Sequence, residues 1–354
     1  MASTSSKGHY SLHHSRDTSH LRWSRSIPPV LTVPSGATVT LDLPDGGGNQ
    51  ITRENVSAGT ALSSFDASQT DPGVGPIYVE GAEPGDVLRV DFIAIEPTVD
   101  YGWTAIFPNF GILSEDEEFS FRNDGQAGGS VKIFDLGQPG GEDSVVNKGY
   151  IVFNKKRITN EEIRIPYSPF LGMVGIAPAE GEHPMIPPLP ETGGNIDTRW
   201  MGVGSSLYLP VQVPGALLSL GDGHAAQGDG EVCGTAIETR MRATIQVTVE
   251  KGKNWVKGPW VMTAKTAEKA KKTSTSDGRE FICLGVGGDI RTATKKAVRG
   301  VIDWLEAEKG LDRNEAYMLV SIVGMLRMCE VVDMPNYAIG CAIPLDVFVP
   351  VSGS

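Results

Sequence analysis

Short alternating runs of apolar and polar residues, broken by glycine and proline, dominate most of this chain. Val30-Leu31-Thr32-Val33, then Pro34-Ser35-Gly36, then Ala37 through Leu43 reads as strand, turn, strand. The alternation in the run from Asp86 to Ile95 suits a half-buried strand, with Val87, Arg89 and Asp91 on one side and Leu88, Val90 and Phe92 on the other. Further strands are expected at 76–79, 149–153, 160–165, 207–213 and 243–249, separated by turn-forming clusters such as GQPGGED and PPLPETGGN. Many short strands with such punctuation point to a sandwich, jelly roll or barrel. The period changes near the end. Apolar residues at 293, 297, 298, 301, 302 and 305 predict an amphipathic helix over 289–309, closed by Gly310. A second helix is expected after Asn314, over 315–328, and a last strand over 339–349. Residues 1–19 read as a flexible polar arm, residues 20–250 as a β body, and residues 251–354 as an α/β portion packed on it, body and C-terminal portion forming one intimate catalytic unit.

Composition agrees with a mainly β (α+β) protein: 43 glycines and 23 prolines in 354 residues favour turns over a helical bundle. A net charge of −12 argues against nucleic acid and against anionic membranes as partners. No apolar run approaches the ~20 residues of a spanning helix. The four cysteines, at 233, 283, 329 and 341, form no CxxC pair, and the start lacks a secretory apolar core, so a cytoplasmic location with reduced thiols is expected.

Candidate chemistry concentrates between Gly221 and Glu231, where Asp222, His224, Asp229 and Glu231 stand among four glycines. Carboxylates and imidazole are ligands for divalent metals. Asp222 and His224, two apart, would share a face of an extended strand. The competing reading is a solvated acidic turn, but the lead-in from Leu207 to Leu220 is apolar and delivers the cluster from a buried strand. Asn195 and Asp197 repeat the spacing within GGNIDTR, Glu80 ends an apolar strand, and His20 opens the folded region.

Several blocks together carry a family resemblance. HLRW at 20–23 with IPPVLTV at 27–33, GPIYVEGAEPGDVLRVDF at 75–92, FLGMVGIAP at 170–178, GGNIDTR at 193–199 and LYLPVQVPGALLSLGDGHAAQGDGEVCGTAIE at 207–238 resemble the acetamidase/formamidase family, as does EAYMLVSIVGMLRMCEVVDMPN at 315–336, which looks like its last helix. The resemblance implies hydrolysis of short linear amides to carboxylate and ammonia, a jelly-roll-like β-sandwich with an additional α/β portion carrying the C-terminal helices, a divalent metal (zinc first, calcium or another next) and a homo-oligomer, a dimer or larger. Carried onto this chain, it places Asp222, His224 and Asp197 as metal ligands, Glu231, Glu80 and Asp229 as candidate acid–base groups, and Asn195 and His20 toward substrate. Met325 stands where relatives often carry an acid. Two alternatives stay open: a non-metal amidase built on Ser–Lys or Cys–Glu–Lys, and a binding protein whose acidic loop holds a structural cation.

Overall fold

The computed structural model describes residues 8–116, 129–153, 162–265 and 278–349. The chain is mostly β, and its core lies between two sheets. The larger sheet has nine strands in the order His9–His13, Thr38–Leu43, Met241–Glu250, Val87–Pro97, Ser206–Pro210, Trp260–Met262, Glu280–Gly287, Tyr337–Pro344 and Met325–Glu330. The smaller sheet runs Gly193–Asn195, Phe170–Ile176, Leu218–His224, Gly73–Glu80 and Ser19–His20, with Leu31–Pro34 added parallel to Gly73–Glu80.

Alternation explains the layering. Leu88, Val90 and Phe92 enter the core between the sheets, as do Leu207 and Leu209, and from the smaller sheet Val174, Ile176, Leu218 and Leu220 meet them. Arg89 and Asp91 lie on the opposite face and pair at 2.8 Å. Farther along the larger sheet the second face is also covered. Ile282, Leu284 and Val286 face the sandwich, whereas Phe281 and Cys283 face the helix Ile290–Lys309 through its buried Ala297, Val301, Trp304 and Leu305. That helix starts where Asp289 accepts from the Thr292 amide and stops at Gly310, which is left-handed at φ +69. None of the helices among the described residues is long and apolar enough to cross a membrane.

Three expectations differ from the structure. Within the polar arm, His9–His13 forms an edge strand, paired in parallel with Thr38–Leu43, and Leu12 is buried in the core. The second helix spans only Arg313–Val323, because Gly324 leaves it in an extended conformation and Met325–Glu330 pairs with Tyr337–Pro344 instead. Apolar spacing alone does not separate these outcomes; the open backbone edge of Tyr337–Pro344 does. The last strand, expected over 339–349, spans Tyr337–Pro344, and it returns to the nine-stranded sheet that also holds strands before residue 250. Residues 160 and 161 of the strand expected over 160–165 lie outside the described residues; Arg164–Pro166 pairs with Tyr150–Val152.

Candidate active site

Strand Leu218–His224 occupies the middle of the smaller sheet, and its last residues open into a cavity of about 360 Å³. Leu218 and Leu220 are core residues; Asp222 and His224, farther along the same strand, line the cavity. His224 Nε2 lies 2.9 Å from Asp222 Oδ1, 3.2 Å from Glu238 Oε1 and 3.9 Å from Glu231 Oε1. On the ring's other side Nδ1 lies 2.9 Å from Gln227 Oε1. The Gln227 amide nitrogen donates to the Asp197 carbonyl at 2.7 Å, which turns its oxygen toward the imidazole. Nδ1 is therefore the donor, and Nε2 is left to face the carboxylates with a proton or a lone pair.

The surrounding acids come from separate parts of the chain. Asp197 follows the short strand Gly193–Asn195, and its amide, like that of Ile196, donates to Gly172 O at 3.1 Å. Glu238 forms isolated bridges with both His224 and Trp103, so it joins the end of the smaller sheet to strand Tyr101–Ile106. Asp71 packs against the loop after Thr38–Leu43, its amide donating to Gly46 O at 2.8 Å. Asn195 Nδ2 donates to Asp333 Oδ2 at 3.0 Å. Asp71, Asp197, Asp222, Glu231, Glu238 and Asp333 are all buried, and all line the cavity with His224.

Backbone strain gathers at the same place. Asp71, Asp197, Asp222 and Glu231 hold φ values of +50, +48, +55 and +47, a left-handed region that non-glycine residues seldom adopt. Only eight non-glycine positions do so among the described residues, and these four carry cavity acids. Such concentration marks a place where packing holds groups against local preference.

Electrostatics point the same way. Burial, then the neighbouring charges of Asp222, Asp197 and Glu238, push the Asp71 carboxyl well up. Burial and Asp222 carry Asp197 to about 7. Burial and Asp197 raise Glu231 strongly, and burial with Asp197 and Glu330 does the same to Asp333. Burial also works against a charged His224, but Asp222 and Glu238 outweigh it and hold its pKa well above the ordinary value. No lysine or arginine lines the cavity among the described residues. Among the described residues, neither carboxylate oxygen of Asp197 has a hydrogen-bond partner, nor does Asn195 Oδ1. Two sets of side chains could each offer three converging donor atoms: Asp197, His224 and Glu231, or Asp222, His224 and Glu238.

The sequence profile of the acetamidase/formamidase family matches residues 8–185 and 179–349, nearly the whole chain. The chain belongs to the acetamidase/formamidase family. It is 27% identical to a formamidase of Methylophilus methylotrophus over 93% of this chain and 89% of that one. An acetamidase from Yersinia enterocolitica superposes with a TM-score of 0.78 at 27% identity, covering 98% of this chain and 95% of that one. A predicted acetamidase/formamidase from Thermoanaerobacter tengcongensis superposes with a TM-score of 0.77 at 29% identity, covering 96% of each.

This family member brings together Asp222, His224, Asp197, Glu231 and Asn195 of the residues singled out in the sequence. It does not bring in the other three. Glu80 is exposed at the far end of strand Gly73–Glu80. Asp229 turns outward and pairs with Arg199 at 2.7 Å. His20 lies outside the cavity lining, its Nε2 2.8 Å from Ser219 Oγ and its ring edge-on to Trp23. Met325 also lies outside it, on the edge strand Met325–Glu330. Glu238, Asp71 and Asp333 join the site without having been singled out.

His20 has a measurable consequence. Burial, aided by the Arg22 charge, lowers its pKa to about 4 against the opposing backbone bond at Arg22. The unfolded chain holds its imidazole near ~6.5. Between those values the unfolded state binds more protons, so this contribution is intact above ~6.5 and is lost as pH falls toward 4, by on the order of 3 kcal/mol. Thermal denaturation at pH 7 and at pH 4.5 should show a larger loss of Tm for the natural chain than for His20→Gln; equal losses would refute this.

Proposed function

We propose that this cavity hydrolyses a small linear amide to carboxylate and ammonia, with a divalent cation held by Asp222, His224 and Glu238 and with Glu231 as the proton-transfer group. Family membership makes the chain a hydrolase of amide C–N bonds. The observation that carries the cation is the imbalance of charge: six buried carboxylates line one cavity, with one imidazole and no lysine or arginine among the described lining. Buried anions in that number need protons or a cation. The donors fit, because an imidazole nitrogen oriented from behind and carboxylate oxygens are the set that zinc and other divalent ions take. When bound, such an ion polarises the carbonyl and lowers the pKa of water.

The side chains have separable tasks. Gln227 holds His224 in one tautomer, with Nε2 toward Asp222 and Glu238. Glu231, its carboxyl raised by burial and by Asp197, lines the cavity beside His224 and is the group placed to exchange a proton between water and the leaving nitrogen. Asn195 Oδ1, buried and without a partner among the described residues, is an acceptor for the substrate's N–H. Neither a cysteine, a serine nor a lysine lines the cavity among the described residues, so the Ser–Lys and Cys–Glu–Lys alternatives find no support there. A homo-oligomer belongs to the same reading, supported by exposed Tyr317, Met318, Ile322 and Leu326. A cytoplasmic location is supported by four unpaired cysteines.

The test combines elemental analysis with ammonia release. The purified protein should contain a divalent metal, lose activity on dialysis against a chelator, and regain it when zinc or another divalent ion is restored. Full activity in protein shown to be metal-free would end the cation reading, and turnover of no amide would end the whole proposal.

A further inference from the structure

The cavity has more room than the smallest amides would fill. Acetamide has four non-hydrogen atoms; at the ~30 Å³ that a water occupies in the liquid, it would take roughly 120 Å³. The cavity measures about 360 Å³. The space beyond the carboxylates is walled by Leu62, Phe65, Trp103, Phe107, Phe110 and Ile186.

Those rings are built into place. Trp103 is buried, its Nε1 donates to Asp45 Oδ2 at 3.2 Å, and its backbone bridges that of Glu238, so the aromatic wall begins directly beside the acid cluster. Phe107 stands edge-on to Trp103 with centroids 6.4 Å apart, and Phe65 packs on Phe107 at 4.6 Å. Gly47 lies against the Trp103 ring, where a Cβ would come within 2.6 Å of Cζ2. Gly234 lies against Phe110 in the same way, where a Cβ would come within 2.4 Å of the ring. Glycine at both positions lets backbone lie directly against the rings within the cavity wall. A preformed wall of this kind, continuous with the reacting end, is a pocket for an apolar group carried by the substrate.

We infer that the acyl group of the preferred amide is aromatic or bulky and apolar, larger than hydrogen or methyl. This rests on the amide-hydrolase reading above. A polar amide without such a group would leave the aromatic wall facing water and gain nothing from it. An amide with one places it against Phe65, Trp103 and Phe107 while its carbonyl reaches the acid cluster, and binding away from the reacting bond raises kcat/KM.

The experiment measures kcat/KM by ammonia release for formamide, acetamide, 2-methylpropanamide, benzamide and phenylacetamide with the metal-replete enzyme. Benzamide or phenylacetamide should exceed acetamide by at least about tenfold. Phe107→Ala should lower the phenylacetamide-to-acetamide ratio by roughly tenfold, whereas a merely structural role would reduce both substrates alike and leave the ratio unmoved. Ile186→Phe, which fills the cavity rather than emptying it, should lower the same ratio and serves if Phe107→Ala does not fold. Formamide or acetamide turned over as well as the aromatic amides would overturn the inference and leave the hydrolase reading standing. Absence of ammonia from every amide would overturn both.

Discussion

His224→Gln is expected to lower kcat/KM for any amide this enzyme turns over by about three orders of magnitude or more. The imidazole is the only nitrogen donor in either set of converging side chains, and its Nε2 lies 2.9 Å from Asp222 and 3.2 Å from Glu238. Its aim is set by a chain of two hydrogen bonds: the Gln227 amide nitrogen donates to the Asp197 carbonyl, and Nδ1 donates to Gln227 Oε1. A glutamine side chain has comparable reach, but it offers an amide in place of a titratable ring and a poor ligand in place of a good one. The same substitution removes the one group that can carry positive charge among the described residues lining the cavity. The chelator-treated variant should therefore be less stable than the chelator-treated natural chain, by on the order of 3 kcal/mol, the usual cost of breaking a buried pair. Metal content, circular dichroism and denaturant midpoint, measured on both proteins, separate loss of the site from loss of the fold. A folded His224→Gln protein with undiminished kcat/KM would remove the histidine from the chemistry.

Which acids the sequence revealed follows from how each reaches the cavity. Asp222 and Glu231 stand beside glycines at the end of an apolar run, and Asp197 stands in a similar short motif; the left-handed backbone at all three is the structural counterpart of that pattern. Asp71 adopts the same conformation, but Asp71-Pro72-Gly73 also reads as an ordinary turn, and nothing local distinguishes the two. Glu238 arrives through isolated bridges to His224 and Trp103, tertiary contacts that leave no periodic trace. Asp333 was hidden by the helix expected across 315–328 and the helical look of the residues after it; once Gly324 ends the helix, the chain runs through an edge strand and returns to hydrogen-bond Asn195. Glu80 and Asp229 lie outside the cavity lining for the converse reason. Alternation identifies the strand or loop that carries an acid, but the end of the sandwich at which the cavity opens is decided by sheet order. The layers were easier to read, because Leu88, Val90 and Phe92 had to share a buried face wherever their strand was placed.

Gly172→Ala is expected to cost the enzyme at least ~100-fold in kcat/KM, although residue 172 contributes no functional group. Gly172 lies in strand Phe170–Ile176, beside the strand that carries Asp222 and His224. A Cβ there would stand 2.0 Å from Asp222 Oδ2, 2.3 Å from Asp197 Oδ1 and 2.9 Å from His224 Cε1. These distances are far inside van der Waals contact, so something must shift, and each available movement damages the site. Asp222 is tied to His224 Nε2 at 2.9 Å, and the Asp197 backbone donates to the carbonyl of Gly172 itself. Displacing the strand would disturb its pairing with both Gly193–Asn195 and Leu218–His224. Overpacking a well-filled interior by one methyl group costs about 1–3 kcal/mol, which a domain of this size can survive folded. The carboxylates would then be held apart in a folded protein, and positioning errors of ~1 Å cost on the order of 100-fold in rate. The expected result is a soluble, cooperatively unfolding Gly172→Ala protein that has lost at least ~100-fold in kcat/KM and retains less than the natural complement of metal by elemental analysis. Gly228→Ala is the matched control, since nothing lies within 4 Å of a Cβ at that position. If Gly172→Ala kept both its metal and its activity, the close convergence of Asp222, Asp197 and His224 would not be the arrangement in which the enzyme works.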